Sequence, residues 1–251
     1  MAKASTSTPA LRIGCAGWSI PRQHASLFGE GESMLARYAT RFSAVEINSS
    51  FYRPHQAKTY ERWAASVPAD FRFSVKIPQA ISHERALRGT GSLLDAFLDQ
   101  SAGLGRKLGG LLLQLPPSLV LDARSASAFF SALRRRTALP VACEPRHASW
   151  FTPKAEALLE RHAITRVAAD PARWPEAAVP ALPARWQYWR WHGAPRIYYS
   201  QYTEADLQSL ATQIRQHRQR RITSWVLFDN TAYGFAIPNA ARLQALMRAS
   251  S

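Results

Sequence analysis

Eight short runs rich in β-branched, aromatic and aliphatic residues recur along the chain, and segments with helical spacing separate most of them. The runs cover residues 12–19, 44–52, 71–78, 109–117, 141–147, 165–170, 188–193 and 224–230. Such alternation of strands and helices predicts right-handed βαβ units that build a parallel sheet. Eight units in 251 residues match the size of one closed barrel. The pattern therefore predicts an α/β fold, a single-domain (β/α)8 TIM-like barrel.

The segments between the runs place apolar residues three and four positions apart, which is the spacing of an amphipathic helix. The predicted helices lie around residues 35–42, 60–67, 91–104, 126–137, 153–163, 207–214 and 239–249. The sixth connection, residues 171–187, differs because it carries four prolines and no helical period. We expect an irregular sixth crossover there, with at most one turn of helix.

No linker or repeat interrupts the strand and helix period, so residues 11–249 are predicted to form one domain after a frayed tail of residues 1–10. The most apolar stretch, residues 108–121, is broken by Gln114 and two prolines and falls short of the roughly 20 residues of a membrane helix. We therefore expect no membrane association and a cytoplasmic location. Cys15 and Cys143 are too few for a disulfide scaffold and are expected to be buried.

Strand alternation assigns polar side chains to the inside of the predicted barrel. Helix-facing positions should be apolar, so Val45 and Ile47 direct Glu46 and Asn48 inward. The same parity gives an inward set of Gly14, Ala16, Trp18, Glu46, Asn48, Ser74, Lys76, Gln114, Glu144, Arg146, Arg190, His192 and Asn230. Asp170, at the end of the sixth run, is added as a candidate although parity does not fix its direction.

Most of the polar inward residues lie toward the carboxyl ends of their strands, the face on which barrel enzymes build active sites. Barrel interiors are normally filled by Val, Ile and Leu, and a buried charge is costly unless it is paired or used. The set therefore predicts a site. The alternative is a self-neutralising ion-pair network, because three carboxylates balance three cations: Glu46, Glu144 and Asp170 against Lys76, Arg146 and Arg190.

Aromatic residues follow the ends of the first, second and fifth predicted strands. They are Trp18, Phe51, Tyr52, Trp150 and Phe151. Aromatic rings at a barrel mouth offer stacking surfaces for a sugar, a base or another planar ligand. The alternative is that some of them hold loops in place.

Several segments resemble the YecE-like family, also called domain of unknown function 72. They are VEINSSFY (45–52), FSVKIP (73–78), LLLQLPPS (111–118), the Glu-x-Arg-x-x-Ser-Trp pattern that starts at Glu144, RWHG (190–193) and FDNTAYGFAIPNA (228–240). The resemblance implies a TIM-barrel-like fold and no established reaction. It marks Glu46, Asn48, Lys76, Gln114, Glu144, Arg146, His192 and Asn230 as positions shared with the family. Asp229 stands where the family usually has Asn, and strand parity directs it toward the helices or the rim.

The convergence of carboxylates, cations and an imidazole predicts an enzyme that acts by acid–base chemistry on a small polar ligand, carboxylated or phosphorylated. Glu46 or Glu144 would be the general acid or base, Lys76 and Arg146 would bind the anion, and His192 would carry the proton. The candidate catalytic residues are Glu46, Lys76, Glu144 and His192. The candidate ligand-binding residues are Trp18, Asn48, Tyr52, Gln114, Arg146, Trp150, Asp170, Arg190, Asn230 and Gly234.

Three further hypotheses about the carboxyl-terminal mouth of the barrel remain open. Gly234, with Asn239 as a helix N-cap, would suit a phosphate site near the last strands, although both residues are also ordinary turn chemistry. A divalent Mn, Fe or Zn would need Glu46, Glu144, Asp170 and His192 as ligands. A Schiff base on Lys76 requires an amine whose pKa is lowered by burial, and a lysine inside a barrel more often pairs with a carboxylate. His83 and His147 follow the third and fifth strands and could also reach the site.

A different class of function is nucleic-acid or polyanion binding, because the formal net charge is +15. The arginines concerned are Arg134, Arg135, Arg136, Arg215, Arg218, Arg220 and Arg221. They lie late in predicted helices, where cations favour the helix dipole and where a solvated surface is the simpler explanation. No RRM, helix-turn-helix or zinc-finger pattern accompanies them.

Overall fold

The computed structural model describes residues 10–181 and 186–249, and its strands form one parallel sheet that curls into a barrel. The strands are β1 (Leu11–Ala16), β2 (Ala44–Ile47), β3 (Arg72–Lys76), β4 (Leu108–Gln114), β5 (Val141–Glu144), β6 (Ile164–Arg166), β7 (Ala168–Asp170), β8 (Trp186–Trp191) and β9 (Thr223–Phe228). Their order is β6-β5-β4-β3-β2-β1-β9-β8-β7, and every neighbouring pair is parallel. The predicted TIM-like barrel is confirmed.

The sixth predicted strand is divided into β6 and β7 by Val167, which is why nine strands stand where eight were expected. β6 pairs with β5, whereas β7 pairs with β8. The Val167 amide still donates to the Cys143 carbonyl (2.8 Å), and the Thr165 hydroxyl donates to the Trp186 carbonyl (3.0 Å). β6 and β7 are the two edge strands of the sheet, and they follow each other directly in the chain. They therefore bring the two edges together and nearly close the barrel.

Seven α-helices in the described residues surround the strands. They are α1 (Met34–Ala39), α2 (Ala57–Ala65), α3 (Gly91–Ser101), α4 (Ala123–Arg136), α5 (Pro153–Arg161), α6 (Glu204–Gln219) and α7 (Ala236–Arg248). Side-chain caps begin four of them: Ser33 for α1, Asp122 for α4, Thr152 for α5 and Thr203, in a capping box with Asp206, for α6. Within the described part of the sixth connection only a short 3-10 turn, Pro175–Ala178, forms, as its prolines predict.

Several strands end earlier than predicted. The last part of the predicted second strand, residues 49–51, is a short 3-10 turn. A second such turn covers residues 148–150, just beyond the predicted fifth strand. Each of these turns follows a strand at the carboxyl end of the barrel.

The barrel interior has two layers along its axis. The layer nearer the amino ends of the strands is apolar and consists of Ala44, Leu112, Ala142, Val167, Leu227 and the rings of Tyr188 and Trp225. Those two rings are stacked, with centroids 6.3 Å apart and planes inclined by 19°. The layer nearer the carboxyl ends is polar and charged, and it is described below.

Both cysteines are buried and unpaired, as expected. In the described residues no helix combines the length and apolar character needed to cross a bilayer. Apart from Ala10, the predicted tail of residues 1–10 lies outside the described residues.

Candidate functional site

The Arg190 guanidinium occupies the centre of the polar layer, with three carboxylates around it. Its Nη2 lies 2.8 Å from Glu46 Oε1 and 2.8 Å from Asp229 Oδ2, and its Nη1 donates to Glu144 Oε2 (3.1 Å). The side chain is 1% exposed. Burial alone would lower the pKa of Arg190, but the Asp229, Glu46 and Glu144 carboxylates hold that pKa well above its usual value. Arg190 is therefore a permanently charged hub that orients acids from β2, from β5 and from the residue after β9.

Glu46 forms the base of this polar layer. The Tyr188 hydroxyl donates to Glu46 Oε2 (2.9 Å), and Arg190 Nε lies 3.1 Å from the same oxygen. Tyr188 also lies 2.9 Å from the Ser74 hydroxyl. Glu46 is fully buried, and all of these partners belong to the protein interior. Its geometry suits the positioning of Arg190 better than contact with a ligand at the mouth.

His192 is held between two carboxylates. Its Nδ1 lies 3.1 Å from Asp229 Oδ2, and its Nε2 lies 3.2 Å from Glu144 Oε1. Burial opposes the charged imidazolium, but the Glu144 charge and then the hydrogen bonds that the ring donates to Asp229 and Glu144 outweigh it, so the pKa of His192 is raised. A ring whose two nitrogens both face acceptors holds two protons and can pass either one along the row.

The two acids beside His192 remain ionised for the reciprocal reason. Burial would raise the pKa of Glu144, but Arg190, His192 and Arg146 hold it well below its usual value. For Asp229, burial is again outweighed, first by Arg190 and then by His192, and the pKa is lowered. The resulting row Asp229–His192–Glu144 is an acid–base triplet in a water-poor barrel.

Arg146 connects this row to solvent. Its Nη2 and Nε donate to Glu144 Oε1 at 2.8 Å and 3.0 Å, and the Gln114 amide donates to the same oxygen at 3.2 Å. The Arg146 side chain is 28% exposed, in contrast to that of Arg190. Arg146 is thus the cation of the network that an incoming anion can reach.

Tyr198 lies over His192 and was not found from the sequence. Its backbone φ is +71°, its amide donates to the His192 carbonyl (2.6 Å), and the two rings lie 5.9 Å apart with nearly perpendicular planes. The residue belongs to the connection between β8 and α6, which has no strand or helix period. The nearest sequence signal was the cluster of tyrosines at 198, 199 and 202 directly after the RWHG segment.

Lys76, the last residue of β3, is the cation that lacks a carboxylate partner. It is 3% exposed, and in the described residues its Nζ makes no hydrogen bond or ion pair. The Nζ lies 4.0 Å from the centroid of the Phe51 ring instead. Burial first, and then Arg190, lower the pKa of Lys76 to about 8, although the three carboxylates of the layer act in the opposite direction.

The two histidines that follow β3 and β5 have different surroundings. His83 packs its ring 5.0 Å from Phe51, and burial, Lys76 and Arg146 lower its pKa, so it lies at the mouth. His147 instead accepts from the Ser149 amide (3.2 Å) and caps the turn that carries Trp150. Only His83 has surroundings that a ligand at the network would share.

The inward face of β9 was predicted wrongly. Asn230 was expected inside the barrel and Asp229 toward the helices or the rim, and the structure has the reverse. Asp229 points into the barrel. Asn230 donates instead to the Ser200 carbonyl (2.9 Å) and to Asn239 Oδ1 (2.8 Å), away from the charged layer. The cause is that both alternating sets of this strand are apolar: Trp225 and Leu227 face inward, and Val226 and Phe228 face the helices. The pattern of hydrophobic residues therefore could not select the inward face.

Three other candidates lie outside the network. Trp150 is buried, and its indole N–H donates to the Leu119 carbonyl (2.9 Å), so it holds a loop. Tyr52 is 66% exposed. Asp170 Oδ1 accepts from the Tyr202 hydroxyl (2.7 Å), and burial raises its pKa.

The three acids and the imidazole considered as metal ligands are not all brought together, although Glu144 and His192 are in contact. Glu46 is bound to Arg190, and Asp170 to Tyr202. Within residues 10–181 and 186–249 no three His, Cys, Asp or Glu side chains are grouped as a metal ion would require.

A cavity of about 560 Å³ is lined by three more of the predicted site residues, Trp18, Asn48 and Gly234. Trp18 packs edge-on against Trp63, with centroids 5.0 Å apart. Asn48 Oδ1 is buried and has no hydrogen-bond partner in the described residues. Gly234 has a φ of +79°, which favours glycine. Neither Arg190, His192 nor any of the charged residues around them lines this cavity; those residues are Glu46, Lys76, Glu144, Arg146 and Asp229.

The N-cap predicted at Asn239 is wrong. α7 begins at Ala236 and places Asn239 inside its first turn, fully buried. Asn239 Oδ1 accepts from the Tyr202 amide (3.3 Å) and from Asn230, so it fixes two loops. The phosphate site expected there therefore lacks its capping residue.

Some of the arginines behind the polyanion hypothesis are used within the fold. Arg134 donates to the carbonyls of Leu139 (2.6 Å), His162 (2.7 Å) and Ala163 (2.8 Å). Arg136 pairs with Asp95 at 2.6 Å. Cations that bind the chain's own carbonyls and carboxylates are less available to a partner.

Comparison with known proteins agrees with this architecture. A family described as "Protein of unknown function DUF72" matches residues 12–251. The UPF0759 protein YecE of Escherichia coli K12 is 36% identical over 106 residues, 42% of this chain and 38% of YecE, so the match spans well under half of that relative. The UPF0759 protein YunF of Bacillus subtilis is 23% identical over 269 aligned positions, with 94% of each protein covered.

Solved structures show the same fold. The crystal structure of a DUF72 family protein from Thermotoga maritima has a TM-score of 0.80 and 23% identity, with 95% of this chain and 99% of that one covered. A DUF72 family protein from Enterococcus faecalis has a TM-score of 0.79 and 22% identity, with 95% of each chain covered. Because the family match extends over nearly the whole sequence, this chain belongs to the DUF72 family of proteins of unknown function.

Proposed function

We propose that this protein is an enzyme that performs acid–base chemistry on a small anionic ligand at the carboxyl-terminal mouth of the barrel. The observation that carries the proposal is the position of His192, buried with one ring nitrogen 3.1 Å from Asp229 and the other 3.2 Å from Glu144. A proton carrier between two ionised acids is the arrangement that general acid–base catalysis needs.

Each residue of the network has a distinct role in this proposal. Glu144 and His192 exchange the proton with the ligand, and Asp229 holds the imidazole in position. Arg146 binds the carboxylate or phosphate of the ligand, because it is the cation of the network with an exposed face. Glu46 is a positioning residue that orients Arg190.

The energetics of the barrel support a use for this network. Replacing buried ion pairs by apolar residues of similar volume is often neutral or stabilising, and Val, Ile and Leu are the usual filling of this layer. A chain that only needed stability would not require three carboxylates around one guanidinium. The experiment must therefore distinguish a site that binds a ligand from an ion-pair network that only stabilises the fold.

The test is a thermal-shift screen of the wild-type protein against pyruvate, lactate, inorganic phosphate, phosphorylated sugars and short single-stranded oligonucleotides. A ligand at 100 times its Kd adds about 2.7 kcal/mol to the unfolding free energy. For a chain of this length that corresponds to a rise in Tm of roughly 5–11 °C. The screen is repeated with Arg146→Gln, which removes the anion-binding cation, and with Arg242→Gln, a matched control whose arginine forms an exposed pair with Glu204 on the outer helices.

The proposal predicts a shift with a small anion in the wild type and in Arg242→Gln, and no shift in Arg146→Gln. An equal shift in Arg146→Gln would overturn it. So would a response to oligonucleotides alone that disappears in moderate salt, which would favour a basic surface without a chemical site.

A further inference from the structure

We propose that Lys76 is a covalent nucleophile that forms an imine with the carbonyl carbon of a small 2-oxo acid bound at the barrel mouth. The inference rests on the proposed function, because it places this ligand beside the same acid–base residues. It adds the substrate class and the atom that reacts.

The geometry distinguishes Lys76 from the other cations of the polar layer. Arg190 and Arg146 are both bound to carboxylates at 2.8 Å, whereas in the described residues Lys76 Nζ has no acid within ion-pair distance. Its Nζ faces the Phe51 ring, and the residue closes β3 at the carboxyl end of the barrel. An amine that donates to no acceptor keeps its lone pair available once it loses a proton.

The residue type adds to the geometric argument. Only five of the 32 Lys and Arg residues are lysines, so the chain meets most of its needs for positive charge with arginine. Arginine is always protonated and cannot attack a carbonyl, whereas a buried lysine can. Lys107 is the other partly buried lysine, and its Nζ donates to the Ala64 and Val67 carbonyls (both 2.6 Å) in an evident structural role.

The charge environment makes the neutral amine accessible near neutral pH. With the pKa of Lys76 at about 8, roughly a quarter of the amine is neutral at pH 7.5. An ordinary lysine, with a pKa of about 10.4, is neutral only in about one molecule in a thousand at that pH. The nearby Arg190 charge contributes to this difference, as a second cation does in other imine-forming lysines.

The step is balanced without an added oxidant or reductant. The lone pair of Nζ attacks the carbonyl carbon and the C=O electrons move to oxygen. The nitrogen then loses one proton and the oxygen takes one, which gives a neutral carbinolamine. Its C–O bond then breaks with a second proton on oxygen, water leaves, and a protonated imine remains. His192 and Glu144 are the residues of the network that can deliver and take back these protons.

The anionic half of the substrate is assigned from the same mouth. Arg146 is the partly exposed cation of the network. Lys76 and His83 both pack against the Phe51 ring, with Nζ 4.0 Å from its centroid and the His83 ring 5.0 Å away. The charges of Arg146 and Lys76 both lower the pKa of His83, which supports a common location at the mouth. When a carboxylate stands next to a carbonyl, the carboxylate can bind the Arg146 guanidinium while the carbonyl carbon meets the Lys76 amine. A 2-oxo acid has this arrangement.

The experiment is reductive trapping at pH 7.5. The wild-type protein is incubated with pyruvate or glyoxylate and sodium cyanoborohydride, digested, and analysed by peptide mass spectrometry. The expected adduct lies on Lys76, with labelling at least tenfold faster than at the exposed Lys58 and Lys154, which serve as internal controls. Lys76→Arg, which keeps the positive charge over Phe51, should lose this adduct and keep the slow labelling of the surface lysines.

Thermal shifts with pyruvate and lactate separate this inference from the proposed function, since lactate has the carboxylate but no carbonyl. Equal labelling of Lys76 and the surface lysines, or labelling of the surface lysines alone, overturns the imine. If both acids still raise the Tm in the wild type and neither does in Arg146→Gln, the acid–base proposal survives that failure. Trapping at Lys76 in the wild-type protein supports the imine even if Lys76→Arg does not fold.

Discussion

Replacement of Glu46 by Gln tests whether the polar layer is held together as one ionic unit. The change keeps the shape of the side chain and removes its charge. Arg190 would keep one neutral amide oxygen in place of the carboxylate that now receives its Nη2 at 2.8 Å and its Nε at 3.1 Å. The new NH2 group would face either Arg190 or the Tyr188 hydroxyl, now 2.9 Å from Glu46 Oε2. We expect a folded but clearly less stable protein.

The magnitude follows from what remains around Arg190. Removing one partner of a buried ion pair costs about 3–5 kcal/mol when the other charge is left uncompensated. Asp229 and Glu144 still contact this guanidinium at 2.8 Å and 3.1 Å, so the lower end, about 3 kcal/mol, applies. For a chain of this length the Tm should fall by roughly 6–12 °C.

The assay is urea unfolding at pH 7, followed by fluorescence, in low salt and in 1 M NaCl. Tyr188→Phe is the matched comparison, because it removes one hydrogen bond to Glu46 and leaves its charge. That variant should lose about 1.5–3 kcal/mol, the usual range for a hydrogen bond to a charged group. Because Glu46 and Arg190 are 0% and 1% exposed, salt should change neither difference much.

The reasoning is refuted if Glu46→Gln loses less than about 1 kcal/mol, the level of exposed ion pairs. It is also refuted if the loss disappears in high salt, since screening acts on exposed charges. A larger loss in Tyr188→Phe than in Glu46→Gln would mean that hydrogen bonding, not charge, holds this layer.

Two further predictions concern other parts of the molecule. Because the folded protein raises the pKa of His192, the imidazolium stabilises the fold fully below pH 6.5, and this contribution is lost as the pH rises through the folded-state pKa. The unfolding free energy of wild type minus that of His192→Gln should therefore decrease from pH 6 to pH 9, and a constant difference would contradict the assignment. Trp150→Phe leaves the Leu119 carbonyl without its donor and should cost about 1–3 kcal/mol in urea unfolding while ligand-induced thermal shifts persist; loss of those shifts would return Trp150 to the site.

The fold was predictable because its signal is repeated. Strands β1 to β5 and β8 each carry apolar residues on alternate positions, and helices with the matching period separate most of them. The break at Val167 was not visible, since a single residue that changes hydrogen-bonding partners leaves no trace in hydrophobicity. The second strand was overextended because the 3-10 turn that follows β2 ends with Phe51, a β-favouring residue.

The candidate site was predictable where one face of a strand is polar. Glu46, Lys76, Glu144 and His192 each lie between apolar neighbours, and the structure directs all four inward. Asp229 was missed because β9 is apolar on both faces. The alternation of polar and apolar residues therefore could not indicate which face of β9 points into the barrel. Tyr198 was missed for a different reason, since loop conformation depends on tertiary contacts that no local pattern records.

The stacked rings of Tyr188 and Trp225 lie in the apolar layer beneath the ionic one. In the described part of the barrel, aromatic and aliphatic groups therefore line the amino-terminal side of the ionic layer. We expect water and hydrogen ions to exchange with that layer through the rim, so that a molecule covering the rim also stops this exchange. A proton taken from a bound molecule would then be returned to the same molecule rather than lost to the medium. In deuterated water such a catalyst would show internal return, with solvent label appearing in the product only as fast as the mouth is uncovered.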